Sequence, residues 1–204
     1  MDKRVLATIE KLVDNGFNVE FFNTKKEAKS KLLDDISVKE DVGIGGSMTI
    51  YQMEVHKDLI DRGNKVHWHW LVEPEKRDEV REKASRASVY ISSSNAITED
   101  GKLVNIDGIG NRVASMFYGH KKVYILCGVN KITKNIEKAL ERIKTVACPK
   151  NSERLDLDTP CRYKGKCYDC KGKDRMCNIT VILESKPMGD IEINIYIINE
   201  ELGY

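Results

Sequence analysis

A chain of 204 residues, 41% of them hydrophobic, is long enough for one sizeable core, and its charges nearly cancel to a net +2. That balance, with no long basic face, excludes nucleic acid as an expected partner. No run has the length and apolarity of a membrane span, and Met1-Asp2-Lys3-Arg4 leads into an amphipathic pattern rather than an apolar leader, so the expected location is cytoplasmic.

Apolar residues at Val5, Ile9, Leu12 and Val13 recur at helical spacing, and Asn15-Gly16 closes that first helix. Val19, Phe21 and Phe22 read as a short strand, and Thr24 is placed to cap a helix over 25–33. A buried strand over 41–44 runs into a glycine turn and a helix lasting to Arg62-Gly63. A strand at 65–70, a charged helix over 74–87 and an apolar strand at 89–91 follow. The second half continues with an extended stretch at 103–106, a helix over 109–118 and a buried strand at 123–127. A helix over 133–145 then turns Ile136, Leu140 and Ile143 inward. This alternation predicts an α/β fold, an open, mostly parallel sheet flanked by helices. The runs 179–183 and 191–198, joined by a turn at Lys186-Pro187-Met188-Gly189-Asp190, predict a C-terminal antiparallel β-hairpin. The chain, 1–204, reads as a single α/β domain with a cysteine-rich insertion at 159–178.

Two loops carry candidate chemistry. In Gly43-Ile44-Gly45-Gly46-Ser47-Met48-Thr49, Gly45 and Gly46 allow backbone amides to turn toward one anion, and Ser47 and Thr49 add hydroxyls at a helix start. The alternative is a tight turn with an ordinary serine cap. The second loop, from Ser92 to Gly101, leads into Asn105-Ile106-Asp107-Gly108-Ile109-Gly110-Asn111-Arg112. It follows a buried strand, at the sheet edge where open α/β folds bind ligands. Asp107 is a candidate acid or base there, or else a structural cap. Asn95 and Asn105 offer neutral hydrogen bonds, Gly108 and Gly110 a flexible turn, and Arg112 a bidentate grip on an anion or a solvated helix residue.

Cys161, Cys167, Cys170 and Cys177 follow the spacing C-x5-C-x2-C-x6-C among six cationic residues. Such a run favours metal over disulfides in the expected compartment, and nearby cations lower thiol pKa values. One C-x2-C pair flanked by single cysteines suits a [4Fe–4S] cluster; zinc is the alternative, and four reduced thiols or two disulfides remain open. Cys127 reads as a core residue, and Cys148, before Pro149, as a structural residue able to approach the cysteine site. His67 and His69 share a strand face without an adjacent acidic partner, and His56 reads as a surface or interface residue. Glu54 is placed to pair with Lys57.

The glycine turn, the run from Ala96 to Arg112, Lys121-Lys122-Val123 and Gly128-Val129-Asn130-Lys131-Ile132 together resemble the lactate utilisation (LUD) domain family across nearly the whole chain. The cysteine segment and Asn199-Glu200-Glu201-Leu202-Gly203-Tyr204 resemble a short subgroup of it. The resemblance implies a link to bacterial lactate oxidation, where some members stand beside iron–sulfur subunits. More distantly, the glycine turn resembles the phosphate loop of ribose-5-phosphate isomerase, and the second loop that of sugar-phosphate isomerases and translation initiation factor 2B. Both imply a NagB/RpiA/CoA-transferase-like fold with the two loops facing one cleft. The expected function is a redox-associated accessory subunit in lactate or other small hydroxy-acid utilisation, binding a phosphate or carboxylate. No G-x-G-x-x-G stands at the first strand, so electrons would need an iron–sulfur partner protein; a homodimer is open. The alternatives are an enzyme acting on a phosphorylated sugar or acyl-CoA-like substrate, and a ligand-sensing domain with a structural zinc.

Overall fold

The computed structural model describes residues 2–204. Helix α1 (Lys3–Asp14) buries Val5, Thr8 and Leu12, and the Asp2 carboxylate caps it by accepting from the Arg4 N–H. Strand β1 (Asn18–Phe22) leads to α2 (Lys25–Asp35), where Thr24 Oγ1 accepts from Glu27 N at 3.2 Å while Glu27 Oε2 accepts from Asn23 N at 3.0 Å. Then come β2 (Asp41–Ile44), α3 (Met48–Met53), α4 (Val55–Asp61), β3 (Lys65–Trp68), α5 (Arg77–Arg86) and β4 (Val89–Ser92). The next group is β5 (Ala96–Thr98), β6 (Leu103–Asp107), α6 (Asn111–Ser115), β7 (Lys122–Gly128) and β8 (Ile132–Thr133). The chain continues through α7 (Ile136–Arg142), α8 (Cys148–Arg154), α9 (Pro160–Lys164), β9 (Ile179–Leu183) and β10 (Glu192–Ile198).

Six strands form one sheet in the order β1-β10-β7-β4-β2-β3, every pair parallel. Its inner strands β2, β4, β7 and β10 are buried on both faces, as a parallel sheet between two layers requires, while the edge strands β1 and β3 are partly exposed. Along β7, Val123, Ile125 and Cys127 join the core beneath α1 and α6, while Tyr124 and Leu126 join the core beneath α2, α3 and α4. β10 divides likewise, with Ile193, Ile195 and Ile197 on one face and Tyr196 and Ile198 on the other. Each such aliphatic side chain contributes roughly 1.5–3 kcal/mol by burial. Cys127 is the core residue its sequence context predicts.

Several expectations are corrected. The two C-terminal strands form, but not as a hairpin: β9 pairs antiparallel with β6, and β10 inserts between β1 and β7. Alternation marks a strand, while its partner is decided by burial, and β10 is apolar on both faces. A second sheet, β8-β5-β6-β9, occupies the second loop, where β5 had read as irregular. The helix after the glycine turn breaks at Glu54, whose φ of 54° separates α3 from α4, and Glu54 pairs with Lys57 at 2.5 Å. Strand 65–70 ends at Trp68, and helix 109–118 contracts to α6. Helix 133–145 begins only at Ile136, because Asn135 caps it by accepting from Lys138 N at 2.9 Å, and it runs on through a π-helical stretch, Ile143–Ala147, into α8. Pro149 has no N–H for the carbonyl one turn back, and the wider turn relieves that conflict. His56 is buried rather than superficial. His67 does find a carboxylate, with Nε2 2.8 Å from Asp41 Oδ1. No helix among the described residues is long and apolar enough to cross a membrane.

Candidate functional site

From β2 the chain crosses outward to β3, whereas β4, on the other side of β2, connects away toward β7. Such a switch in direction leaves a crevice at the carboxyl ends of the two strands. Here it is a cleft of ≈ 850 Å³. The glycine turn after β2 and the serine loop after β4 both reach it. Gly45 N donates to Ile91 O at 2.9 Å, and a Cβ on Gly45 would lie 2.8 Å from Tyr90 Oη and 2.9 Å from Ser92 Oγ, so only glycine lets the two loops pack this closely.

Of the residues singled out in the sequence, Gly46, Ser47, Asn95, Asp107, Gly108 and Arg112 line the cleft. Gly45, Thr49, Asn105 and Gly110 stand behind it. Ser47 caps α3 by accepting from Ile50 N at 3.3 Å. Asn105 Oδ1 accepts from Asn95 N at 3.0 Å and from Arg112 Nη1 at 2.7 Å, while its Nδ2 donates to Ser94 Oγ at 3.0 Å. Arg112 also donates to Ser93 O, Asn95 Oδ1 and Ile106 O at 3.1–3.2 Å, so its guanidinium is committed to holding the loop. Asp107 sits 3.6 Å from Arg112 Nε, and its carboxylate accepts from Gly108 N at 2.7 Å and Val113 N at 3.2 Å. Those are the contacts of a cap on α6, made by a side chain that also faces the cleft.

Sequence reasoning missed the strongest charges. Lys131 is 3% exposed at the cleft floor, where Nζ donates to Thr49 Oγ1 at 2.9 Å and Ser93 Oγ at 2.8 Å. Burial, with help from Arg142 and Arg112, pushes its pKa down to about 8 against an opposing pull from Cys127. A lone lysine just past an apolar strand was the available signal. Arg77 and Arg81 enter from the charged helix α5, where nothing distinguishes them from solvated residues. Arg154, stacked 4.4 Å above the Trp70 ring, and Lys173 and Arg175 complete the cationic lining. Arg154 also donates to Tyr204 Oη at 2.9 Å, which brings the last residues to the rim. His69 is held neutral, its pKa lowered to about 4 by burial and by Arg81, Arg77 and Arg154.

The cysteine segment adjoins this cleft. Cys177 and Cys148 both line it, with their Sγ atoms 3.2 Å apart. The contact and the nearby Arg175 and Lys144 favour the Cys177 thiolate, lowering its pKa to about 7, while Cys148 is raised by the same contact and by burial. Cys161 is buried against Thr159 Oγ1 at 3.2 Å, Cys167 Sγ accepts from Asp169 N at 3.3 Å, and burial and Cys161 push the Cys170 thiol up. Among the described residues no three His, Cys, Asp or Glu side chains converge as a formed metal site. In donor chemistry the set does fit a thiolate-bound centre. Cys148 and Cys177 are in contact, Cys161, Cys167 and Cys170 lie on the same segment as Cys177, and basic side chains such as Arg175 and Lys144 stand near to offset thiolate charge.

The family model described as LUD domain matches residues 5–198. The chain is similar in fold to the crystal structure of a DUF162 family protein from Deinococcus radiodurans, with a TM-score of 0.57, 9% identity and 96% of each chain covered. No curated protein matches it.

Proposed function

This chain belongs to the LUD domain family, and on that premise we propose that its cleft binds a small anionic ligand, a carboxylate or a phosphate, beside a metal centre held by cysteines. The supporting observation is the charge of the lining. Arg77, Arg81, Arg112, Lys131, Arg154, Lys173 and Arg175 line it beside two acidic residues, Asp107 and Asp174, and although Arg81 and Arg175 also pair with Asp78 and Asp169 outside it, the lining carries an excess of cations in a chain whose total balance is +2. A cleft of one sign with low-dielectric walls concentrates ions of the other. Ser47, Asn95, Gly46 and Gly108 supply neutral groups in the lining; behind it Gly45 packs against Tyr90 and Ser92, Asn105 ties Asn95, Ser94 and Arg112 together, Thr49 holds Lys131, and Gly110 turns the chain into α6.

The finer reading is a redox-associated accessory role in lactate or other small hydroxy-acid utilisation. What supports it is the adjacency of Cys177 and Cys148 to the anion cleft. Cys161, Cys167, Cys170 and Cys177, with Cys148 beside them, would hold the centre. A [4Fe–4S] cluster supplies one-electron transfer toward an iron–sulfur partner protein, and zinc in its place supplies a structural clip.

Titration calorimetry at low ionic strength tests the cleft. Phosphate or lactate is expected to bind saturably, and Gly46→Val to weaken binding by about tenfold, about 1.4 kcal/mol. A Cβ at Gly46 lies an acceptable 3.4 Å from Trp70 Nε1, so the fold survives while the added methyls enter the cleft. Absence of saturable heat with phosphate, lactate and acetyl-CoA alike would refute the anion site.

A further inference from the structure

Lys131 has an arrangement that anion binding alone does not call for. A buried lysine is ordinarily neutralised by a carboxylate. This one is held only by the hydroxyls of Thr49 and Ser93, and the titratable and charged groups around it are the Cys127 thiol on β7 and the guanidinium groups of Arg112 on α6 and Arg142 on α7. An amine desolvated beside other cations has a larger share of its nucleophilic, unprotonated form near neutral pH. It also lies in the cleft wall, within the same enclosure as Arg77 and Arg154.

We propose that Lys131 is an amine nucleophile that forms a reversible imine with a small carbonyl compound whose carboxylate or phosphate is held by the arginines of the cleft. This rests on the anionic-ligand reading above and adds the ligand's class: an oxo acid or a phosphorylated aldehyde or ketone. The Nζ lone pair attacks the carbonyl carbon and a C–N bond forms. Protons pass from nitrogen to the former carbonyl oxygen through the Ser93 hydroxyl, which lines the cleft within hydrogen-bond reach of Nζ, while Thr49 holds Nζ from behind. The C–O bond then breaks and water leaves as C=N forms. Amine and carbonyl become imine and water, so no oxidant or reductant is required.

Reductive trapping on the parent protein tests this. Pyruvate, glyoxylate or pyridoxal 5′-phosphate is added with cyanoborohydride, and the adducts are mapped by peptide mass spectrometry. The expected result is a single dominant adduct at Lys131 with at least one probe, slowed by added phosphate and absent in Lys131→Arg. If Lys131 carries no adduct with any of the three, or is labelled no faster than exposed lysines such as Lys39, the proposal is overturned. Phosphate binding that persists in the parent without trapping would sink the imine and leave the anion site standing. Trapping at Lys131 in a protein that binds no anion would sink the anion site instead.

Discussion

On one side of the cleft, residues 92–112 are, apart from Asp100 and Ile109, buried or half-buried and fixed by the chain's own hydrogen bonds, with Arg112, Asn105, Asn95 and Ser94 closing on one another. On the other, residues 155–178 are mostly exposed, contain only the short α9 as regular structure, and bring Cys177 to the rim with three further thiols on the same segment. The first wall has its shape before any ligand arrives. Under the proposed metal centre, the second would take its order from what its thiols bind.

Removing the thiols is the most direct way to break the comparison. Cys167→Ser with Cys170→Ser is expected to abolish bound iron or zinc and to expose residues 155–178 to limited proteolysis. The parallel sheet should melt within a few degrees of the parent, since no thiol of the pair lies in its core. Metal retained at the parent level, or collapse of the whole fold, would erase the distinction between the walls.

The organised wall should reveal its buried charge through pH. Lys131 falls from an ordinary 10.5 in the unfolded chain to about 8 in the folded one. Between those values the unfolded chain binds more protons, so this residue's cost to stability is present below about 8 and is relieved as pH rises toward 10.5. Urea unfolding of the parent and of Lys131→Met is therefore expected to show the parent gaining about 3 kcal/mol relative to the variant across that window. Parallel stability curves would mean that the amine is not desolvated.

The smallest expected effect is at Asp107. Asp107→Asn keeps one acceptor but turns an amide either toward Gly108 N–H or toward Val113 N–H and the Arg112 guanidinium, and should cost about 1 kcal/mol of stability. Unchanged stability combined with lost phosphate binding would move Asp107 from the scaffold to the ligand.

The same contrast explains what the sequence made legible. Strands buried on both faces, such as 123–127, stand out as apolar runs, and caps such as Thr24 announce their helices, so the parallel sheet and its flanking layers are readable. Strands of two or three residues are not, because β5 and β8 are too short for any period and exist through their pairing with β6 and with each other. The two loops were correctly brought to one cleft. The arginines of α5 and Arg154 were invisible, since a charged helix face looks the same whether solvent or a crevice lies beyond it.

The position of β10 has a consequence for how the molecule is made. β1 is near the start of the chain, yet its only neighbour in the sheet is β10, which arrives some 170 residues later and also supplies the second edge of β7. Until that segment leaves the ribosome, β1 has no strand to pair with and β7 keeps an open apolar edge, a template for association with other chains. Pairings this distant in sequence are slow to close. A synthesis stalled between β7 and β10 would therefore release a chain with a nearly complete helical layer and an unprotected sheet, which makes the C-terminal strand the step on which the yield of native protein turns.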